Sequence, residues 1–174
     1  LTIRDLFNLA LIPSYNSAAM ALTRSTGLTA EEFAAKMNER ARALNMTQTK
    51  FVEPTGLSPD NVASAADLLK LAQIAFTQAE IRNATVRQEF TFQILNNKRS
   101  ETVKNTDKLL GSYLNIGAGK TGSLDEAGYC LISEVIGPLG QKVMIVVLGS
   151  LSDADRFQDL KALAQWAFDN YSWY

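Results

Sequence analysis

The chain turns on Gly117-Ala118-Gly119-Lys120-Thr121-Gly122-Ser123-Leu124-Asp125-Glu126-Ala127-Gly128-Tyr129-Cys130-Leu131-Ile132. Lys120-Thr121-Gly122 falls where a short strand should run, about Ala118 to Gly122, and an apolar strand, Tyr129 to Ile136, follows within a few residues. A third strand, Lys142 to Leu148, is joined to the second by the tight turn Gly137-Pro138-Leu139-Gly140, which makes the two an antiparallel hairpin. A lysine and a hydroxyl followed by glycine suit an edge strand that receives an extended peptide. The ligand pairs with the strand's free N–H and C=O groups, Lys120 and Thr121 meet its carboxylate, and Gly122 lets two backbones approach. Three such common residues are a weak signal by themselves.

Outward from this stretch, the downstream chain reads as one helix. Asp153 is the expected cap, and Phe157, Leu160, Ala164, Ala167 and Phe168 are the side chains available for burial before about Asn170. Upstream, Phe90, Phe92 and Ile94 alternate with polar residues as a half-buried strand does, and Asn96-Asn97-Lys98 turns the chain into a second extended piece, Glu101 to Lys104. Before Glu89 the pattern is mainly helical, with a loop over Thr47 to Asn61. Thr2 with Asp5 and Thr29 with Glu32 are capping boxes, Ser64 is a simple cap, and a short helical piece is expected near Ala79 to Asn83. The first helix, with Ile3, Leu6, Phe7, Ala10 and Leu11 on one face, is stopped by Pro13. Ser14-Tyr15-Asn16 follows in the turn, and Asn16 or Ser17 can cap the next helix, Ala18 to Ser25. Asn45 reads as a left-handed terminator of the third, whose core face is Phe33, Met37 and Leu44. Helices first, then an antiparallel sheet, then a covering helix: this order predicts an α+β fold, mainly helical over 1–88 and mainly strand plus one helix over 89–174.

Composition bounds the chemistry. The 174 residues fit one domain, 47% are apolar, and the net charge of −1 gives no electrostatic footprint for nucleic acid or an anionic membrane. No apolar run is long enough to span a bilayer. The single cysteine, Cys130, excludes an internal disulfide and is expected to be a small core residue of its strand. Histidine is absent. A Ser-His-Asp or Cys-His couple and a histidine-bearing zinc site are therefore excluded, so any activated hydroxyl must rely on a lysine or a carboxylate.

Ser14-Tyr15-Asn16 and Lys120-Thr121-Gly122 sit on the helical and strand regions respectively, and a cleft between those regions would present both to one substrate. With Leu9-Ala10-Leu11-Ile12-Pro13, Phe51-Val52-Glu53-Pro54-Thr55-Gly56-Leu57, Asn61 to Asp67, Asn105-Thr106-Asp107-Lys108-Leu109-Leu110, Ala127 to Leu131 and Arg156-Phe157, they form a series of blocks in constant order. In these blocks the chain resembles the penicillin-binding serine D,D-peptidases, the low-molecular-mass D-alanyl-D-alanine carboxypeptidases and endopeptidases. The resemblance implies the penicillin-binding-protein/β-lactamase-like transpeptidase fold and an acyl-enzyme mechanism needing neither cofactor nor metal. The implied partners are peptidoglycan stem peptides ending in D-Ala-D-Ala and β-lactam antibiotics, and the implied place of action is outside the cytoplasmic membrane.

By that resemblance Ser14 relays a proton to the leaving amine, Asn16 holds the substrate amide carbonyl, and Lys120 raises the local positive potential. Thr121, with Gly122 at its side, and Arg156 receive the terminal carboxylate, and Ser123 lends its backbone N–H to the oxyanion hole. Plainer readings stand beside these: Ser14 and Asn16 as helix caps, Lys120 as a solvated edge-strand lysine, and Arg156 paired with Asp153 or Asp159 on its own helix. Glu53 lies in a Glu-Pro loop like that of the deacylating glutamate of class A β-lactamases, but Thr55-Gly56-Leu57 and Ser17-Ala18-Ala19 follow the peptidase pattern. The family's nucleophile and base belong to a Ser-x-x-Lys motif that does not occur here; Thr47-Gln48-Thr49-Lys50 is the nearest string and is read as loop. Opening at Leu1 without an initiator methionine, the sequence is expected to be the second part of a D,D-peptidase domain. Its remaining part, or a second copy, would cover the exposed sheet edge. A non-catalytic D-Ala-D-Ala-binding module is the alternative to an enzyme.

Overall fold

The structure, a computed structural model, describes residues 1–173. Six helices run α1 Ile3–Leu11, α2 Asn16–Ser25, α3 Ala30–Ala43, α4 Ala65–Ala75, α5 Ala79–Thr85 and α6 Asp153–Asn170. Five strands run β1 Glu89–Gln93, β2 Ser100–Lys104, β3 Asn115–Leu124, β4 Gly128–Ile136 and β5 Lys142–Ser150. The α+β order read from the sequence is the order observed.

Local chemistry accounts for most of the boundaries. Both capping boxes form, Thr2 with Asp5 and Thr29 with Glu32, each satisfying N–H groups that a helix start leaves without a partner. Ser64 caps α4 by accepting from Asp67 N. Asn45 ends α3 at φ +54, in the left-handed region where asparagine is tolerated. The cap of α6 is Ser152, whose hydroxyl accepts from Asp155 N, and not Asp153, which is already the first helical residue.

The strands form two sheets rather than one. β1 and β2 make a separate antiparallel hairpin, whose Phe90, Phe92 and Ile94 pack on Leu9 and Ala18 of the first two helices. The main sheet is three-stranded in the order β3-β4-β5, antiparallel throughout. Alternation along β4 gives it two buried faces. Leu131 and Val135 join Phe157, Leu160 and Ala164 of α6, whereas Ile132, with Ala118 of β3, meets Ala72 and Phe76 of α4. The helix Asp153–Asn170 thus covers one face, as its apolar spacing implies, and α4 with α5 covers the other. An Arg82–Glu134 ion pair ties α5 to β4. β3 is an edge strand, and this places Lys120-Thr121-Gly122 at the border with the helical layer.

The first helix buries a different face from the one the pattern suggests. Leu9 and Ile12 are its buried apolar residues, Ile3 is exposed, and Leu6, Phe7, Ala10 and Leu11 are half-buried. On α3 the buried residues are the small Ala34 and Ala41; Phe33, Met37 and Leu44 are half-buried and line a surface groove.

Candidate active site

The turn between α1 and α2 is built without side-chain capping. Tyr15 holds the N-cap position, no side chain caps α2, and Asn16 is its first residue. The reading of Ser14, Asn16 or Ser17 as caps is therefore not the one the fold uses. Tyr15 N reaches back to Leu9 O at 2.9 Å, and Ser14 takes φ +60. A non-glycine residue in that region carries a conformational cost that the surrounding structure must offset. Its result is that the Ser14 hydroxyl is aimed at the sheet.

There it meets Lys120. Nζ of Lys120 donates to Ser14 Oγ at 2.5 Å and to Thr121 O at 2.8 Å, joining residues 106 apart in the chain. Burial, with Arg156 adding like charge, pulls the lysine from its usual 10.5 to about 8, against the opposing pull of Asp107. Lys120 is thus not a solvated edge lysine. An ammonium that gives up its proton near pH 8 and touches a hydroxyl is suited to passing protons through that hydroxyl.

The neighbouring residues have definite partners. The Thr121 hydroxyl is buried, 2.5 Å from Thr106 Oγ1. Gly122 is exposed, and a Cβ there would meet only Cys130 Cβ at 3.9 Å, so the space in front of the strand is open. Ser123 is exposed beside it. Asn16 is half-buried, and its amide makes no hydrogen bond among the described residues. Arg156 is buried behind β3: its guanidinium donates to Gly122 O at 2.9 Å and Cys130 O at 3.4 Å, pairs with Asp153, and lies 5.5 Å from the Tyr129 ring centroid. Of the two acidic partners considered on its own helix, Asp153 is the one used; Asp159 accepts from Ser150 instead.

A cavity of about 520 Å³ shares Gly122 and Ser123 with this group of residues and is lined further by the loop that carries Glu53; Ser14 and Lys120 do not line it. Phe51, Pro59, Leu68 and Ala127 give it apolar walls. Cys130, expected in the core, is instead half-exposed on this wall, because it pairs with Gly122 near the open end of the strand.

Glu53 is closed off by its own loop. One carboxylate oxygen accepts from Thr55 N at 2.6 Å and from the Thr55 hydroxyl. The other accepts from Gly56 N at 2.7 Å, Leu57 N at 2.9 Å, Ser58 N at 3.3 Å and Asn61 Nδ2 at 2.6 Å. These donors hold the carboxyl below its usual range in spite of burial. A carboxylate so occupied cannot serve as a deacylating base. Thr47 to Lys50 is likewise structural: Gln48 N and the Thr49 hydroxyl bind Asp67, and Lys50 bridges to Val62 through the backbone.

Sequence reasoning gave no role to Asn105-Thr106-Asp107, which the structure makes a hub. Asn105 Nδ2 donates to Thr85 O and Arg87 O, and Thr106 N donates to Ile12 O at 3.2 Å, two residues before Ser14. The same Thr106 holds the Thr121 hydroxyl, so one residue links both halves of the site. The only sequence signal was that the run recurs as a family block.

A helical layer and an antiparallel sheet that meet at a Ser-x-Asn turn and a Lys-Thr-Gly edge strand define a D,D-transpeptidase-like fold. The chain superimposes on the DD-transpeptidase of Streptomyces K15 with a TM-score of 0.90 and 29% identity, over 97% of this chain and 68% of that one. Its likeness to the cefotaxime-bound penicillin-binding protein D2 of Listeria monocytogenes has a TM-score of 0.81 and 32% identity, over 97% and 67%. Residues 1–152 match the family described as D-alanyl-D-alanine carboxypeptidase, and the chain belongs to that family. A D-alanyl-D-alanine endopeptidase of Haemophilus influenzae is 35% identical over 129 residues, 74% of this chain and 44% of that relative. The chain spans about half the length of the curated relatives it matches.

Proposed function

We propose that the chain is the recognition and proton-relay part of a serine-type D-Ala-D-Ala carboxypeptidase domain that forms an acyl-enzyme on peptidoglycan stem peptides. The observation that carries this reading is the 2.5 Å contact from Lys120 Nζ to Ser14 Oγ, with the open edge of Gly122 and Ser123 alongside. In it, a substrate lies antiparallel to β3. Asn16 holds an amide carbonyl, the Ser123 N–H polarises the carbonyl under attack, and Ser14 passes a proton, under the influence of Lys120, to the departing D-alanine. Thr121 receives the terminal carboxylate by turning its hydroxyl from Thr106. Arg156 supports that carboxylate through the field behind the strand, since its two terminal nitrogens are engaged with Gly122, Cys130 and Asp153. The attacking serine and its lysine, a Ser-x-x-Lys pair, come from residues outside this sequence. That further part of the domain also supplies cover for the exposed edges.

The domain acts on the outer side of the cytoplasmic membrane, where its substrate is, and takes β-lactams as substrate mimics. Cross-link cleavage is the second reading, favoured by the endopeptidase relative, because the same residues serve both reactions. Incubation of the full-length protein with defined muropeptides tests both. Mass analysis should show loss of a single terminal D-alanine; cleavage of cross-linked dimers without that loss would select the endopeptidase. Absence of either product, with no penicillin adduct, would leave a D-Ala-D-Ala-binding module and refute the enzyme.

A further inference from the structure

One hydroxyl touches both halves of the site, and the residues on either side of it hold it there. Asn105 Nδ2 donates to Thr85 O at 3.0 Å and Arg87 O at 2.8 Å, and its Oδ1 accepts from Asp107 N at 2.8 Å. Asp107 is buried, and one carboxylate oxygen accepts from Leu109 N at 2.9 Å, capping the short helical turn Lys108–Gly111. Its other oxygen has no partner among the described residues. Thr106 lies half-buried between these two anchored neighbours. Its N–H donates to Ile12 O at 3.2 Å, and its Oγ1 stands 3.5 Å from the same carbonyl and 2.5 Å from Thr121 Oγ1.

Two hydroxyls in contact can be ordered in two ways, because each donates once and accepts up to twice. With the Thr106 O–H on Ile12 O, Thr121 donates to Thr106 and its own proton is taken. With the Thr106 O–H on Thr121 Oγ1, the Thr121 proton is released for another acceptor. Little separates the two orders. At 3.5 Å the hydroxyl bond to Ile12 O is long and weak, and that carbonyl keeps the Thr106 N–H whichever way the hydroxyl turns. A carboxylate decides between them, since a hydrogen bond to a charged acceptor is about twice as strong as a neutral one. We propose that Thr106 is a positioning residue for the carboxylate subsite: it fixes Thr121 Oγ1 and, when a carboxylate arrives, turns its O–H from Ile12 O to Thr121, whose proton then goes to the ligand. The oxygens stay in contact and no proton changes atom. The resulting chain, Thr106 to Thr121 to carboxylate, is polarised in one direction, which strengthens its last bond.

The positioning role rests on the reading of Thr121 given above, and a binding measurement without turnover separates the two. NMR titration of the full-length protein gives its affinities for acetyl-D-Ala-D-Ala and for the C-terminal amide of the same peptide. The unmodified protein should bind the acid more tightly. Thr106→Ala should weaken binding of the acid by about 3- to 10-fold and change that of the amide by less than about twofold. Thr106→Ser, which restores the hydroxyl alone, should recover the acid affinity. Equal losses for acid and amide, or no loss, overturn the inference and leave Thr106 structural. Tighter binding of the acid by Thr106→Ala would make Thr106 a restraint on Thr121 and overturn it as well. Should Thr106→Ala not fold, Thr106→Val, of matching shape, is read by the same outcomes. Acid and amide bound equally by the unmodified protein, or neither bound, would refute the carboxylate role of Thr121 and this inference with it. A carboxylate preference that answers to Thr106 in a protein forming no acyl-enzyme would refute the enzyme and keep the inference.

Discussion

Two loops reach the region of β3, and each carries a residue that chemistry could claim: Ser14 in the α1–α2 turn, in contact with Lys120, and Glu53 in the loop before α4, whose Phe51, Gly56 and Ser58 line the cavity. Their surroundings are opposite. The Glu53 carboxylate is bound by its own loop on both oxygens, and the loop closes around it. Ser14 sits at φ +60, caps nothing, and gives its hydroxyl to a lysine brought from another layer of the fold. A polar group satisfied within a few residues is architecture. One that is left free locally, at a conformational cost, and then met by a partner from far away in the chain is a candidate for chemistry.

The contrast is broken most directly at Ser14. In the full-length protein Ser14→Ala should slow acylation by labelled penicillin by about 10²–10⁴-fold, the range for loss of a positioned proton carrier, while thermal melting stays nearly unchanged. Equal acylation by the variant would remove Ser14 from the mechanism. Glu53→Gln should do the reverse. It weakens acceptance from four backbone N–H groups and sets an amide N–H against some of them, at a cost of about 1–3 kcal/mol, or about 2–4 °C in melting temperature for each kcal/mol in a chain of this size. Acylation per folded molecule should hold. A large loss of deacylation without loss of stability would mean that Glu53 reaches the acyl group after all.

The same contrast explains how much was legible beforehand. Thr2, Asp5, Thr29, Glu32, Ser64 and Asn45 act within four residues of themselves, so their roles could be read from spacing. The α+β class followed from the order of helical and strand patterns, and the pairing of distant Ser14 with Lys120 from their places on those two regions together with the family blocks. What escaped was set by long-range packing. Periodicity proposed an apolar stripe on α1, but the neighbours decide which face is covered, leaving Ile3 exposed while Leu9 and Ile12 are buried. Nothing local says that β1 and β2 leave the main sheet, that Cys130 faces a cavity, or that Arg156 is buried under Gly122. Asp107 was quoted only as part of a block, because a carboxylate's lack of donors cannot be seen until the fold surrounds it.

The smallest expected effect is a change with pH, and it separates the two loops once more. Lys120 titrates near 8 when folded and near its usual 10.5 when unfolded. Below pH 8 both states hold the proton, so the folded protein carries the full cost of a buried ammonium. Between those two values the unfolded chain binds a proton that the folded one has released, so the lysine's contribution to stability improves as pH rises. The lysine loses its charge over the same interval. Acylation should therefore decline above pH 8, by about half at the inflection itself, while the protein becomes no less stable on account of Lys120. Glu53 behaves oppositely: its carboxyl is held below the usual 4.5, so the stability it contributes is present above that value and is lost as pH falls through the lower folded one. Melting curves and acylation rates measured across both intervals should part company on the alkaline side and fall together only in acid. A parallel alkaline loss of stability and acylation would show that Lys120 is a structural ion rather than the working half of the Ser14 contact.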